Sequence, residues 1–196
     1  MKKIVIASNN PGKLREFGAL LVPFDFEAIP QSALGVGEAA EPHATFVENA
    51  LAKARHASLA TGLPALADDS GICAVALKGA PGVYSARYAG EPKSDQRNNE
   101  KLIAELARHT DRRAFYYCVL VMLMTPDDPR PLIAEGEWHG DIVTDPRGDG
   151  GFGYDPYFYL SEYGCTAAEL AAVVKNRISH RGKAMHLLAE KLRGRA

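Results

Sequence analysis

Three features that would mark a particular class of protein are scarce in this sequence of 196 residues: cysteine, long apolar runs and net charge. Its three cysteines, Cys73, Cys118 and Cys165, are widely spaced and odd in number, which excludes a disulfide framework and a cysteine metal site. That pattern fits the reducing cytoplasm, where we expect the protein to act. The longest apolar run, residues 115–124, is far shorter than the roughly 18 residues that span a bilayer, so we expect no membrane association.

The balance of charge excludes a second class of function. Lysine and arginine number 23 and aspartate and glutamate 24, so the formal net charge is −1. No global field then attracts a polyanion, and a role in coating nucleic acid is disfavoured. A small anionic ligand held by a local basic cluster remains compatible with this balance. The length and the 46% hydrophobic content predict one globular domain over residues 1–196.

Two adjacent carboxylates, Asp68 and Asp69, end a short apolar run at residues 63–67. A strand that delivers acids into a loop is suited to hold Mg²⁺, and one of the acids can also activate water as a general base. Adjacent residues on a strand point to opposite faces, so the two acids are expected to have different roles. Because Asp, Ser and Gly also form turns, a simple turn is the alternative for this stretch.

A polar loop near the N-terminus separates a predicted strand at residues 3–7 from a predicted helix. Such a loop can present backbone N–H groups and a helix N-terminus to an anion. Lys13 lies where a lysine opposes the helix dipole, which suggests that it binds something else, such as a phosphate. The alternative is a capped helix, with Asn10 as N-cap and Pro11 at the first helical position, and both interpretations can hold together.

A second glycine-rich loop, at residues 149–156, sets Phe152 among three glycines. The open backbone leaves this aromatic ring free to stack on a planar ligand. A helix is predicted to begin at Thr166, with Leu170, Val173 and Val174 inward. A basic cluster follows at residues 175–183, which can match helix-end charges, contact nucleic acid or bind a small anion. Lys53 lies on a helix predicted to begin at Thr45, and taken alone it is interpreted as a solvated surface charge.

Six short motifs occur in a fixed order between residues 4 and 184. They are Ser8-Asn9-Asn10-x-Gly12-Lys13-x-x-Glu16, Thr45-Phe46-x-Glu48-Asn49-Ala50-x-x-Lys53-Ala54, Ala67-Asp68-Asp69-Ser70-Gly71, Gly82-x-Tyr84-Ser85-Ala86-Arg87, Gly151-Phe152-Gly153-Tyr154-Asp155-Pro156 and Ser179-His180-Arg181-Gly182-Lys183-Ala184. Each motif is weak alone, but the six in this order are specific. Together they resemble the inosine triphosphate pyrophosphatases, and most closely their bacterial dITP/XTP pyrophosphatase branch.

The resemblance implies an enzyme that uses Mg²⁺ to hydrolyse dITP, ITP and XTP to the monophosphate and pyrophosphate, which removes deaminated purines from the nucleotide pool. It also implies a homodimer. It places Asp69 as the catalytic proton acceptor and, with Glu41, as a metal ligand. The substrate-binding residues that it implies are Ser8, Asn9, Asn10, Pro11, Gly12, Lys13, Lys53, Ser70, Phe152, Gly153, Tyr154, Asp155, Lys175, His180 and Arg181.

The fold expected with this function is α/β: a central twisted mixed β-sheet flanked by helices, in two lobes with an active-site cleft between them. One segment departs from the family pattern. Residues 40–44 keep Glu41 but lack the neighbouring acid and the glycine, and they carry His43, which is either an exposed loop histidine or a new contact.

Three other functions remain to be weighed against the pyrophosphatase. They are a nucleotide sensor that binds without hydrolysis, a nucleic-acid-binding module built on residues 175–183, and a related pyrophosphatase that acts on standard or modified pyrimidine nucleotides.

Overall fold

The computed structural model describes residues 1–195, which form seven strands and five α-helices, with five short 3₁₀ turns between them. The strands are β1 (Lys2–Ile6), β2 (Phe26–Pro30), β3 (Ala65–Ala74), β4 (Arg113–Leu123), β5 (Leu132–Ile142), β6 (Phe158–Leu160) and β7 (Cys165–Thr166). The helices are α1 (Pro11–Leu21), α2 (Phe46–Thr61), α3 (Asp95–Leu106), α4 (Ala172–Ile178) and α5 (His180–Arg193). Within residues 1–195, no helix combines the length and the apolar character that crossing a bilayer requires.

The strands form one sheet in the order β2-β1-β3-β4-β5-β6-β7. Strand β1 pairs in parallel with β2 and with β3, whereas β6 pairs antiparallel with both β5 and β7. Parallel neighbours need a long crossover, and α1 and α2 lie in the connections that supply it. The predicted mixed sheet flanked by helices is therefore confirmed.

The chain divides into two compact units. The first comprises residues 1–69, 118–135 and 183–195, and its core is built from α1, α5 and the apolar residues of β1 and β4. The second comprises residues 70–117 and 136–182, and its core surrounds Tyr116, Trp138 and Phe158. The prediction of a single domain over residues 1–196 stays a prediction.

Strand β3 corrects the expectation for the two acids. Asp68 and Asp69 do not lie in a loop or a turn, because β3 runs without a break from Ala65 to Ala74. The apolar residues before and after the acids, among them Leu66 and Ile72, are fully buried. Burial of both flanks favours continuation of the strand over the turn preference of Asp, Ser and Gly.

A second correction concerns the helix predicted to begin at Thr166. Thr166 instead ends β7, and its backbone N–H donates to the carboxylate of Glu169 at 2.7 Å. Its hydroxyl lies 3.1 Å from the same carboxylate and donates to the carbonyl oxygen of Arg147 at 2.7 Å. Helix α4 begins later, at Ala172, and Val173 is 78% exposed rather than inward. These local side-chain hydrogen bonds compete with the helical ladder and delay its start.

Candidate active site

The first cluster of predicted site residues lies in the first unit and consists of Lys13, Glu41, Lys53, Asp68 and Asp69. We call it the acid–lysine cluster. Lys13 Nζ lies 2.8 Å from Asp68 Oδ2, and Lys53 Nζ lies 3.4 Å from Asp69 Oδ1. Adjacent strand residues face opposite ways, so the two acids contact lysines from different helices, α1 and α2. The two acids thus have different partners, as the strand period predicts.

Lys53 is not a solvated surface charge. Its ammonium lies 2.5 Å from Glu41 Oε1 as well as 3.4 Å from Asp69 Oδ1, and its side chain is only 14% exposed. Glu41 therefore joins the cluster although its segment departs from the family pattern. One lysine bridges the two carboxylates that were predicted as metal ligands.

The sequence analysis missed Asn49 as a site residue. Its Nδ2 donates to Asp69 Oδ2 at 3.3 Å and to the carbonyl oxygen of His43, and its Oδ1 accepts from the backbone N–H of His43. Asn49 is 1% exposed on α2, one turn before Lys53. An asparagine buried on an alanine-rich helix face is the signal that identifies it, since buried polar side chains need partners. His43 is exposed, as the first of its two interpretations has it, and its hydrogen bonds to Asn49 are made by its backbone.

The cluster holds more negative than positive charge, and the pKa shifts follow from that excess. Burial raises the pKa of Asp69, Lys53 opposes this rise, and the carboxylate of Glu41 adds to it. Burial by itself lowers the pKa of Lys53, but the charges of Asp69 and Asp68 and the hydrogen bond to Glu41 outweigh it, so that pKa is raised. Lys53 is therefore ionised, and the Asp69 beside it takes up a proton more readily than an ordinary aspartate does.

The N-terminal loop adopts the capped-helix arrangement. Asn10 Oδ1 accepts from the backbone N–H groups of Gly12 and Lys13, at 2.9 and 3.1 Å, and Pro11 has no N–H to offer. Ser8 accepts from the N–H of Asn10. With these N–H groups satisfied, the groups of this loop that suit an anion are side chains, chiefly the ammonium of Lys13.

Two further predicted residues lie beside these elements. Asn9 donates from Nδ2 to Glu38 Oε1 at 3.1 Å, on the exposed side of the loop. Ser70 follows Asp69 in β3, is partly exposed, and is the first residue of the second unit.

The second cluster lies in the second unit around the loop at residues 150–155, which we call the Phe152 loop. Phe152 is 61% exposed, and Lys175 Nζ and Arg181 Cζ lie 5.4 and 6.0 Å from the centre of its ring. Both distances are within the range of a cation–π contact. An exposed aromatic ring with two cations beside it suits an electron-rich planar ligand with anionic or acceptor groups.

Asp155 orders this loop from beneath. It is 3% exposed, and its Oδ2 lies 2.5 Å from Lys175 Nζ and accepts from the backbone N–H of Phe152 at 2.8 Å. Its Oδ1 accepts from the hydroxyl of Tyr116. Gly151 has φ +78°, and a Cβ there would collide with the Asp155 carboxylate. A buried carboxylate with three donors fits a structural anchor for the loop better than a direct ligand contact.

Gly153 and Tyr154 are also engaged within the protein. The N–H of Gly153 donates to Asp95 Oδ2 and its carbonyl accepts from Asn99 Nδ2, both at 2.8 Å. Tyr154 is 4% exposed and donates its hydroxyl to the carbonyl oxygen of Ser85. These two residues shape the loop rather than offer free hydrogen-bonding groups.

His180 stacks on Tyr116, with ring centres 4.7 Å apart and an interplanar angle of 8°. It also lies 6.4 Å from the ring of Trp138. His180 is the first residue of α5 and Arg181 the second, so the helix start carries both side chains towards the aromatic core of this unit and the Phe152 ring. Lys175 and Arg181 thus lie beside the Phe152 ring, whereas His180 stacks on the aromatic core; that the three bind a substrate stays a prediction.

Glu41 and Asp69 are the carboxylates of the acid–lysine cluster that could hold a metal ion. Within residues 1–195, no group of three or more His, Cys, Asp or Glu side chains is placed to hold a metal by itself. Mg²⁺ usually takes one or two carboxylates together with substrate phosphates and water. Glu41 and Asp69, which share the ammonium of Lys53, fit that requirement, whereas they do not fit a closed zinc site.

The sequence of this chain is similar to known proteins over nearly its full length. A family model described as the Ham1 family matches residues 4–191. A dITP/XTP pyrophosphatase of Nitrosomonas europaea is 66% identical, over 98% of this chain and 95% of the relative. One of Ralstonia nicotianae is 64% identical, over 98% of each. The bacterial branch that the six motifs resemble is thereby confirmed.

Solved structures agree with the sequence relatives. A HAM1 protein from Coxiella burnetii superposes with a TM-score of 0.95 at 47% identity, over 99% of this chain and 100% of that one. The Ham1 protein of Staphylococcus aureus gives a TM-score of 0.92 at 43% identity, over the whole of both chains. With sequence and structure in agreement over almost its entire length, the chain belongs to the Ham1 family.

Proposed function

We propose that this protein is a Mg²⁺-dependent nucleoside triphosphate pyrophosphatase that hydrolyses dITP, ITP and XTP to the monophosphate and pyrophosphate. The relatives named dITP/XTP pyrophosphatases support the substrate class. The observation that carries the chemistry is the acid–lysine cluster, in which buried carboxylates and ammonium groups meet with an excess of negative charge.

The two lysines are proposed to bind the triphosphate. Each ammonium has three donors, and a partner carboxylate occupies only part of that capacity. Lys13 and Lys53 are held by Asp68 and by Glu41 with Asp69, which fixes the positions of their charges before the substrate arrives. Groups placed in advance need little reorganisation as charge develops on the phosphates.

Asp69 is proposed to accept the proton of the attacking water. Its raised pKa makes it a stronger base than an ordinary aspartate, and the charge of Lys53 opposes that rise. Asn49 holds Asp69 Oδ2 and thereby orients the carboxylate. Glu41 and Asp69 are the residues that would hold Mg²⁺, which when bound neutralises phosphate charge and helps to align water with the α-phosphorus.

The second unit is proposed to recognise the base. Phe152 offers an exposed ring for stacking, and Lys175, His180 and Arg181 are nearby donors. Hypoxanthine and xanthine carry an acceptor at position 6, whereas adenine carries a donor there. A site built from donors leaves the adenine amine unpaired, which is worth orders of magnitude in discrimination.

We also propose that the protein is a homodimer in the cytoplasm and that it acts on free nucleotides. The position of Asp69, held by Asn49 and beside Lys53 and Glu41, supports hydrolysis over a sensor that only binds, because a sensor needs no oriented base. The formal net charge of −1 disfavours a nucleic-acid-binding module built on residues 175–183.

The test is pyrophosphate release from ITP, XTP, dITP, ATP and GTP, each with and without Mg²⁺. A large Mg²⁺-dependent preference for the first three is expected. Similar rates on all five would contradict the proposed base recognition but not the phosphate chemistry. Absence of release from every nucleotide, with binding retained, would favour the sensor, and sedimentation analysis would test the dimer.

A further inference from the structure

We infer that Asp95 and Asn99 of α3 are positioning residues that hold the Phe152 loop in the conformation that presents its ring. The inference rests on the proposed function, because it concerns the residue proposed to stack on the base. It goes beyond that function by assigning a role to α3, whose residues are not among those proposed to bind the substrate.

The two side chains hold both backbone polar groups of one residue. Asp95 Oδ2 accepts from the N–H of Gly153, and Asn99 Nδ2 donates to the carbonyl oxygen of Gly153, each at 2.8 Å. Residues four apart on a helix lie on the same face, so both hydrogen bonds to Gly153 come from one face of α3. Gly153 has φ +63°, a conformation that an unrestrained glycine leaves readily.

The amide of Asn99 is itself fixed in one orientation. Its Nδ2 also donates to the backbone carbonyl oxygen of Asp95 at 2.8 Å, so the nitrogen faces two carbonyl oxygens. Among residues 1–195, Oδ1 of Asn99 has no hydrogen-bond partner, although the side chain is 5% exposed. The contribution of this residue therefore comes from its nitrogen, which meets the loop.

Helix α3 is a firm support for the loop. Leu102 and Leu106 on its inner face are fully buried in the core of the second unit. On the other side of Phe152, the buried carboxylate of Asp155 takes the N–H of Phe152 itself. Phe152 thus has an anchored group on each side, although its ring is exposed. Such preorganisation reduces the entropy that is lost when a ligand orders a loop.

The test compares Asp95→Ala, Asp95→Asn and Asn99→Asp with the wild type. Asp95 is exposed, so its substitutions are expected to leave the fold intact. Asp95→Ala and Asp95→Asn both remove the charge from the first turn of α3, but only Asp95→Asn keeps an oxygen that can accept from Gly153. Asn99→Asp is nearly isosteric and sets a carboxylate oxygen against two carbonyl oxygens. Gln96→Ala, exposed on the same helix, is the matched control.

Two readouts are used. Hydrogen exchange at the amide of Gly153 reports directly on the hydrogen bonds from Asp95 and Asn99, which we call the Gly153 clamp. Exchange is expected to accelerate in Asp95→Ala and Asn99→Asp but not in Asp95→Asn or Gln96→Ala. In steady-state kinetics, Asp95→Ala and Asn99→Asp are expected to raise KM for ITP roughly fivefold, about the effect of one lost hydrogen bond, with kcat changed much less.

The inference is overturned if Gly153 exchanges equally fast in all variants, or if Asp95→Asn is impaired as severely as Asp95→Ala. A change in kcat without a change in KM would also overturn it. If wild-type protein releases no pyrophosphate from ITP while the exchange pattern is as expected, the proposed function fails and the clamp stands. The two failures are therefore distinguishable.

Discussion

The ammonium of Lys53 lies 3.4 Å from Oδ1 of Asp69, and yet the pKa of both groups is raised. A simple ion pair would raise the first and lower the second. The difference arises because Glu41 and Asp68 act on the same pair, and burial penalises the charge of Asp69 more than one lysine compensates. The cluster is therefore short of positive charge, which is the condition in which it would attract a metal ion.

Replacing Asp69 with Asn is expected to lower pyrophosphate release from ITP by at least about 100-fold, since a general base contributes roughly that much or more. The measurement is kcat at saturating Mg²⁺. The matched control is Asp25→Asn, an exposed carboxylate in the same unit that pairs with the N-terminal amino group. Near-normal turnover in Asp69→Asn would remove Asp69 from the mechanism.

The same variant makes a prediction about stability. The folded-state pKa of Asp69 is raised, so ionisation of this group favours the unfolded state. That cost is absent below the unfolded pKa of 3.8 and appears as pH rises through the folded pKa. Asp69→Asn should therefore melt at a higher temperature than wild type at pH 7, with a difference that shrinks towards pH 4. A lower melting temperature at pH 7 would contradict the pKa direction.

Replacing Asn49 with Asp tests the electrostatics of the cluster without removing a proposed catalytic group. The change removes the hydrogen bond that lowers the pKa of Asp69 and adds a carboxylate beside it. The pKa of Asp69 should rise further, and the acidic limb of the pH profile of kcat/KM should move to higher pH. Gln96→Glu adds the same charge at an exposed site and should leave that limb in place. An unmoved limb in Asn49→Asp would mean that Asp69 does not set it.

Replacing Glu41 with Gln is expected to increase the Mg²⁺ concentration needed for half-maximal activity by roughly tenfold or more, as loss of groups that support a metal site does. Titration of activity with Mg²⁺ measures this value. Glu27→Gln, at an exposed position of β2, serves as the comparison. If the Mg²⁺ requirement is the same in all three proteins, Glu41 is not a ligand and acts only through Lys53.

Replacing Phe152 with Ala should raise KM for ITP about tenfold, the order expected for loss of one base–aromatic stack, with little effect on kcat. Because the side chain is 61% exposed, the free energy of unfolding should change by less than about 0.5 kcal/mol. Tyr163→Ala removes another exposed ring from the same unit and should change neither value. An unchanged KM in Phe152→Ala would argue against stacking.

Replacing Asp155 with Asn should change the free energy of unfolding, which Phe152→Ala leaves nearly unchanged. The buried carboxylate holds Lys175, the N–H of Phe152 and the hydroxyl of Tyr116, so its loss should lower the free energy of unfolding by about 2 kcal/mol. Urea unfolding measures this change. Asp145→Asn changes an exposed side chain that accepts from the hydroxyl of its neighbour Thr144, and it should be neutral. Equal stability of the two variants would show that Asp155 does not anchor the loop.

The sequence by itself determined the features that depend on near neighbours. The strand period predicted that Asp68 and Asp69 would point to opposite faces and have different roles. The two acids do contact different lysines, Lys13 and Lys53. The Asn-Pro pair predicted the cap of α1, since a cap involves only the next three residues. The order of motifs also predicted the mixed sheet and the family.

Tertiary structure decided the features that depend on distant partners. Asn49 meets Asp69 across 20 residues, and Asp95 meets Gly153 across 58, distances over which no local period carries information. Burial on both flanks kept β3 continuous through two acids and a glycine that favour a turn. A buried acid is stable only beside its donors, and only the folded chain brings those donors together.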